Sequence, residues 1–229
     1  MRIITWNMGC GPRQYREHHD KAWDYVLQDL KPDVAFVQEA LVPKLRAMEE
    51  LFSIFLCPPL PDHDSGTAVL VAKHLGAGPG PTVTVSGLTY VATATVDTPA
   101  GPLTVASFHV YPDDNQKEDL PRIVELARSE FARSPAVFGG DFNCARKFGG
   151  MYARFFEAMG TAGFCEPCCK DGKEGWSFWG RQAKEKYQDD HFFVSESWAP
   201  RVQSCQTINE GVVRTVSDHG PVVLELDVG

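Results

Sequence analysis

The run Ala136-Val137-Phe138-Gly139-Gly140-Asp141-Phe142-Asn143 decides how the chain is read. Apolar residues make a short strand, two glycines follow, and a carboxylate and a carboxamide then come one residue apart at the strand's end. Successive strand side chains alternate faces, so Asp141 and Asn143 are expected on one face and Phe142 in the opposite layer. An acceptor beside a donor can take a proton from water and hold an oxyanion, the two tasks of phosphate-ester hydrolysis. Gly, Asp and Asn also make Asx turns at strand ends, and at this point both readings stand.

The flanks of this run make layers. Gln116 to Arg133 reads as a helix with Leu120, Ile123, Val124, Leu126, Ala127 and Phe131 on one face, and Met151 to Met159 as another that buries Phe155, Phe156 and Met159. Upstream, Thr67–Ala72, Thr82–Val85, Leu88–Val96 and Leu103–Val110 are strand candidates rich in Val and Thr, separated by Gly/Pro turns, and read as a meander that supplies one sheet. The last of them ends on His109, for which a backbone-bonded core histidine is the alternative to a site residue.

At the N-terminus Ile3 to Trp6 is β-prone and ends on Asn7, and Gln14 to Leu30 is an amphipathic helix with Trp23, Val26, Leu27 and Leu30 at helical spacing. Val34 to Val37 then reads as a strand buried on both faces that delivers Gln38-Glu39. Lys44 to Phe52 reads as a short helix, and Cys57 to Ser65 as an exposed loop whose Asp62-His63-Asp64 is solvated surface. Beyond the central run, the Cys165–Tyr187 loop interleaves Trp176, Phe178 and Trp179 with Lys170, Lys173, Arg181, Lys184 and Lys186. That mixture either stacks bases and neutralises phosphates or anchors a cationic loop to the body. Asp189-Asp190 lead into the strand His191–Val194, and Ser217-Asp218-His219-Gly220-Pro221 precede a final strand, Val222–Leu226.

With 229 residues, 43% of them hydrophobic and no compositional break, the chain is expected to form one domain over residues 1–229. A net charge of −8 excludes non-specific coating of nucleic acid by a global basic field, and leaves any polyanion to a local patch or to a cation held by clustered carboxylates. No run approaches the ~20 apolar residues that span a bilayer. The N-terminus has no charged-then-apolar leader, so a cytoplasmic location is expected; separately, a monomer is expected. Seven cysteines, an odd number, fit reduced thiols, and Cys165, Cys168 and Cys169 lack the further ligand that a closed zinc site needs.

Asn7, Glu39, His109, Asp141, Asn143, Asp190, Asp218 and His219 all fall at or beside the ends of expected strands. The pieces Thr5-Trp6-Asn7, Gln38-Glu39, His109, Gly140-Asp141-Phe142-Asn143, Asp190-His191-Phe192-Phe193-Val194-Ser195 and Ser217-Asp218-His219-Gly220-Pro221-Val222 resemble, in order, the motifs of the endonuclease/exonuclease/phosphatase (deoxyribonuclease I-like) superfamily. The resemblance implies an α/β (α+β) four-layer sandwich of two mostly antiparallel sheets with outer helices. It implies a metal-dependent phosphoester hydrolase, a nuclease on nucleic acid, with a phosphatase or phosphodiesterase for a small molecule or lipid head group as the alternative. Mg²⁺ or Mn²⁺ is the implied cofactor, held by Glu39 with Asp218 and Asn7. Asp141 would activate water, Asn143 and Asn7 would bond phosphoryl oxygens, Asp190 would orient a cationic His219, and His109 would assist the leaving oxygen. Trp176, Trp179 and Arg181 are candidate substrate contacts. Gln188 stands where many relatives carry arginine. Gly9 and His109 stand where abasic-site enzymes carry an acidic residue and a tyrosine, which moves the chain away from that activity.

Overall fold

Ile3 and Ile4 are both fully buried, on opposite sides of one strand. Ile3 packs with Phe36, Val69, Val105, Val137, Phe192 and Leu224, and Ile4 with Trp6, Trp23, Ala35, Val37 and Leu45. A strand that buries both faces is an inner layer, and the alternation of its side chains fixes what covers each side.

The computed structural model describes residues 1–9, 16–57, 64–83, 90–112, 116–169, 175–179 and 186–229. Asp62, His63, Lys170, Lys173, Arg181, Lys184 and half of the expected Thr82–Val85 strand lie outside the described residues. In chain order the elements are β1 (Arg2–Asn7), α1 (Arg16–Tyr25, prolonged by a π-helical segment Val26–Leu30), β2 (Val34–Leu41), α2 (Val42–Ala47), β3 (Phe52–Cys57), β4 (Ser65–Ala72), β5 (Ala77–Pro79), β6 (Tyr90–Thr98) and β7 (Gly101–His109). They continue as α3 (Gln116–Ser129), β8 (Ala136–Asp141), α4 (Gly150–Thr161), β9 (Phe164–Cys165), β10 (Asp190–Ser195), β11 (Val202–Thr207), α5 (Val213–Val216) and β12 (Val222–Leu226).

Two six-stranded sheets result, ordered β11-β12-β1-β2-β4-β3 and β5-β6-β7-β8-β10-β9. Each is antiparallel except for one parallel pair, β1 with β2 and β7 with β8. These are the steps that contain α1 and α3, because parallel neighbours need a crossover. The sheets enclose the core that contains Ile3 and Phe192. The helices α3 and α4 cover the outer face of the second sheet over Phe108, Phe138, Phe142 and Phe193, while Trp23 and Val26 of the α1 segment cover the first. This is the expected four-layer α/β sandwich.

The expected meander is corrected: only β5, β6 and β7 form one. β4 lies between β2 and β3 in the other sheet. Its Val69 and Val71 enter the inter-sheet core while Ala68 and Leu70 face the outer helices, and such two-sided burial belongs to a sheet interior. The helix expected over Lys44–Phe52 ends at Ala47, and Phe52 opens β3, paired with Ala72 of β4. Cys168 and Cys205 are joined as a disulfide with Cα atoms 4.9 Å apart, so the expectation of reduced thiols fails for this pair. The fold brings the two together across 37 residues of sequence, a proximity that spacing does not reveal. Among the described residues no helix is long and apolar enough to cross a membrane.

Candidate active site

Register builds the site as a row. His109 on β7 is the partner of Asp141 on β8, and Asp141 is the partner of Asp190 on β10, so three functional side chains stand abreast at one edge of the second sheet. The strands approach closely there. A Cβ at Gly140 would collide with the Phe108 carbonyl, and φ of +151° at that residue is open only to glycine. The glycines of the central run therefore belong to the strand and let its neighbours close in.

The first sheet supplies the facing groups. Asn7, at the end of β1, donates from Nδ2 to Asp141 Oδ2 at 2.8 Å and to Glu39 Oε1 at 3.3 Å, and its Oδ1 accepts the Gly9 N–H at 2.9 Å. Glu39 is aimed by an irregularity: the β2–β4 register shifts between Val37 and Ala40, and Glu39 adopts φ +50°. Such bulges re-aim side chains at functional edges. Below it Gln38 Nε2 donates to Ser107 Oγ at 2.9 Å, a buried bond between the two sheets. Trp6 Nε1 donates to the His219 carbonyl at 2.9 Å and Ser217 Oγ to the Asn7 carbonyl at 2.9 Å, which seats the loop carrying Asp218 and His219 against β1.

His219 Nδ1 bonds Asp190 Oδ2 at 2.8 Å and its Nε2 lies 3.8 Å from Asp141 Oδ2. Burial alone would push this imidazole down, but the Asp190 and Asp141 charges and the Asp190 hydrogen bond outweigh it and hold its pKa well above the usual value. Asp141 moves up, chiefly through burial and next through the nearby Asp190 charge, against the pull of His219, His109 and Asn7. His109 moves down because burial outweighs Asp141; its Nε2 is 3.7 Å from Glu39 and 3.9 Å from Asp141. Tyr111 beside it is pushed up to about 12 by burial and the Glu39 charge.

Asn143 departs from the expected alternation. β8 stops at Asp141, Asn143 takes φ +49°, its N–H donates to Asp141 Oδ1 at 2.9 Å, and its Nδ2 donates to the Val110 carbonyl at 2.9 Å. The Asx turn and the site carboxylate are thus the same residue, Asp141. Gln116 at the start of α3 holds this turn by donating to the Phe142 and Asn143 carbonyls at 3.1 and 2.8 Å.

Residues 4–219 match the Endonuclease/Exonuclease/phosphatase family. The chain belongs to this family. Its members hydrolyse phosphoester bonds, the chemistry for which the crowded carboxylates and the imidazole–carboxylate pair are suited. No curated protein matches the chain. Among solved structures, the endonuclease domain of TRAS1, a telomere-specific non-LTR retrotransposon, is 16% identical with a TM-score of 0.72 and coverage of 98% of this chain and 97% of that one. D. rerio TDP2 complexed with single-strand DNA product gives 16%, 0.72, 98% and 97%. An AP endonuclease from Archaeoglobus fulgidus gives 17%, 0.72, 100% and 100%. At these identities the likeness establishes the fold.

Within the family frame, Glu39, Asn7 and Asp218 offer oxygen donors, the set a hard divalent cation takes. Glu39 is 29% exposed and so open to an ion from solvent. Asp218 is half-buried beside the end of β1, its Oδ1 2.9 Å from where a Gly9 Cβ would stand. Asp141, Asp190 and His219 also bring ligand-type atoms within 4.8 Å of one another, but the Asp190–His219 bond already commits an atom of each. Trp176 and Trp179 meet edge to face at 5.8 Å, with Lys186 4.2 Å above Trp176 and Arg214 5.3 and 5.7 Å from the two rings. The Trp179 N–H donates to the Asp218 carbonyl, so this patch adjoins the His219 loop.

Sequence reading missed Glu166. It accepts from Arg146 Nε and Nη2 at 3.0 and 2.6 Å and bonds His191 Nδ1, while His191 Nε2 meets the Cys144 carbonyl at 2.8 Å. The network ties the turn after Asp141 to β10. Glu166 sits in an irregular turn with no periodicity to mark it.

Proposed function

We propose that the protein is a divalent-metal-dependent phosphodiesterase that cleaves nucleic acid by in-line attack of an activated water. The observation that carries this reading is Asn7 Nδ2 shared between Asp141 and Glu39, which joins a proton acceptor and a cation ligand at one point. Asp141 takes the proton from water, with the basicity that burial gives it. Its turn bond from the Asn143 N–H aims one oxygen and the Asn7 amide the other, so Asn143 acts by positioning. The His219 cation, held by Asp190, stabilises charge on the phosphoryl oxygens. His109, uncharged through burial, donates a hydrogen bond to the leaving oxygen. Glu39, Asn7 and Asp218 would hold Mg²⁺ or Mn²⁺, which would supply a Lewis acid at the phosphate. The Trp176, Trp179, Lys186 and Arg214 patch offers ring faces and positive charge to a strand.

The test is cleavage of end-labelled single- and double-stranded DNA and RNA with Mg²⁺, with and without chelator, beside Asp141→Asn. Chelator-sensitive cutting by the wild type is expected, with a loss of about 10²- to 10⁴-fold in the folded variant. No cutting by the folded, metal-supplied wild type would reject nucleic acid as substrate and redirect the assay to small phosphoesters. Near-full activity of the variant would remove Asp141 from its role.

A further inference from the structure

Positive charge flanks the site on one side only. Beyond His219 a string of rings leads outward: Phe178 is 4.8 Å from the imidazole, Tyr187 5.2 Å from Phe178, and the half-exposed Phe148 5.0 Å from Tyr187. Exposed cations stand along it. Lys147 Nζ is 4.6 Å from the Tyr187 ring and donates to the Lys186 carbonyl at 3.3 Å, Lys186 covers Trp176, and Arg214 reaches both tryptophans. Rings alternating with cations follow the backbone of a nucleic-acid strand.

The opposite flank is made by Glu39, Ser65, Tyr90, His109 and Tyr111, with no lysine or arginine among the described residues there. The cavity between these side chains is about 10 Å³, room for one water, so the flank offers no groove. Cations further along the chain are engaged elsewhere: Lys44 pairs with Asp20, and Lys117 lines the groove between α3 and α4. In sequence, the stretches 58–63, 84–89 and 113–115, which precede Ser65 and Tyr90 and follow Tyr111, contain no lysine or arginine but hold Asp62, Asp113 and Asp114. A strand that ran through the site would set further phosphates on this flank beside Glu39. Like charges without a cation between them repel, and a metal ion at Glu39 would serve the attacked phosphate alone.

We propose that the protein holds its polyanion on the Lys147, Lys186 and Arg214 flank only, and therefore hydrolyses the terminal phosphodiester of a strand rather than an internal one. The inference rests on the nuclease reading. Water adds to phosphorus, the bond to the leaving oxygen breaks on the His109 side, and that oxygen takes a proton. The terminal residue thus departs as an alcohol and the phosphate stays on the strand.

The test compares a linear single-stranded oligodeoxynucleotide with the same sequence ligated into a circle, both labelled internally, in Mg²⁺. The linear strand should shorten from one end, and the circle should be cut about 100-fold more slowly or less, because like-charge contact costs several kcal/mol. A circle nicked within about tenfold of the linear rate, or a linear strand cut at internal positions, overturns the proposal. Equilibrium binding of the fluorescein-labelled linear strand in chelator needs no turnover. There Lys186→Gln/Arg214→Gln should flatten the slope of log affinity against log salt by about 1.4, the loss of two phosphate contacts, while Arg133→Gln, beside the far end of β8, should keep the slope. Melting curves check that each variant is folded. A slope unchanged in the double variant overturns the one-sided hold. A flattened slope with neither strand cut keeps that hold and rejects the nuclease reading, whereas cutting of the circle rejects the hold and keeps the nuclease.

Discussion

A single carboxamide holds the site's anions in place. Asn7 is buried, spends both N–H groups on carboxylates and accepts the Gly9 N–H on its oxygen, which keeps one lone pair for a cation. Asn7→Asp would keep the shape, replace a donor by a third acceptor and set like charges together. In chelator it should destabilise the fold by about 2–3 kcal/mol, read as a lower Tm; a melting curve equal to the wild type would show that the shared amide is not what holds Asp141 and Glu39. His19 gives a second prediction at this scale. Both ring nitrogens are buried without a partner, and burial, helped by Lys44 and His18 and opposed by Asp20, lowers its pKa from 6.5 to about 4. The unfolded chain therefore takes the proton first as pH falls through 6.5, and stability declines from there to about pH 4, where the folded form also protonates. His19→Leu should remove about 2 kcal/mol of that decline, measured by urea unfolding at pH 7 and pH 4.5. Parallel pH profiles for variant and wild type would contradict the assignment.

At the scale of elements, the β8–β10 pair is fastened on its far side by Glu166. Its carboxylate is held below the usual range although burial opposes this, because the His191 and Arg146 charges and their hydrogen bonds outweigh it. Removing one partner of a buried ionic network leaves the others uncompensated, so Glu166→Gln should cost about 3 kcal/mol in urea unfolding; a change below ~0.5 kcal/mol would make the network incidental. The elements that sequence reading recovered are those whose periodicity survives alone. β1, β2, β8, β10 and β12 bury one or both faces with apolar residues, and α1, α3 and α4 carry apolar stripes. Those it missed depend on neighbours. β11 is polar at Gln203, Ser204, Gln206 and Thr207 and exists through its ladder with β12. β3 was hidden behind the helix-prone Lys44–Leu51. The sheet to which β4 belongs is decided by its pairing with β2, which local pattern does not encode.

For the whole molecule, the motifs were legible as a set because β1, β2, β7 and β8 end, and β10 and β12 begin, at a common edge. Their roles were less so. The turn geometry of Asn143, the bulge that aims Glu39 and the seating of the Asp218 loop against β1 come from backbone dihedrals and loop docking that residue types leave open. The same convergence carries a thermodynamic cost. The chain bears a net charge of −8, and folding draws Glu39, Asp141, Asp189 and Asp190 to one edge, where Asp189 Oδ1 and Asp190 Oδ1 are buried without a partner and the Asp189 carboxyl moves well above its usual range through burial and the Asp141 charge. The unfolded chain feels no such crowding. A divalent cation bound only by the folded site should therefore stabilise it by RT ln(1 + [L]/Kd), about 2.7 kcal/mol at ~100 times Kd. For a chain of this length that corresponds to a Tm rise of roughly 5–10 °C, reversed by chelator. Ca²⁺ at equal ionic strength separates site binding from general screening, since a screening effect would not distinguish the two ions by coordination geometry. Glu39→Gln should lose more than half of the Mg²⁺-induced rise, while Glu17→Gln on the exposed start of α1 should keep it. Equal rises in wild type and Glu39→Gln would take Glu39 out of the metal site, and no rise in the wild type at millimolar Mg²⁺ would count against a cation at this edge altogether.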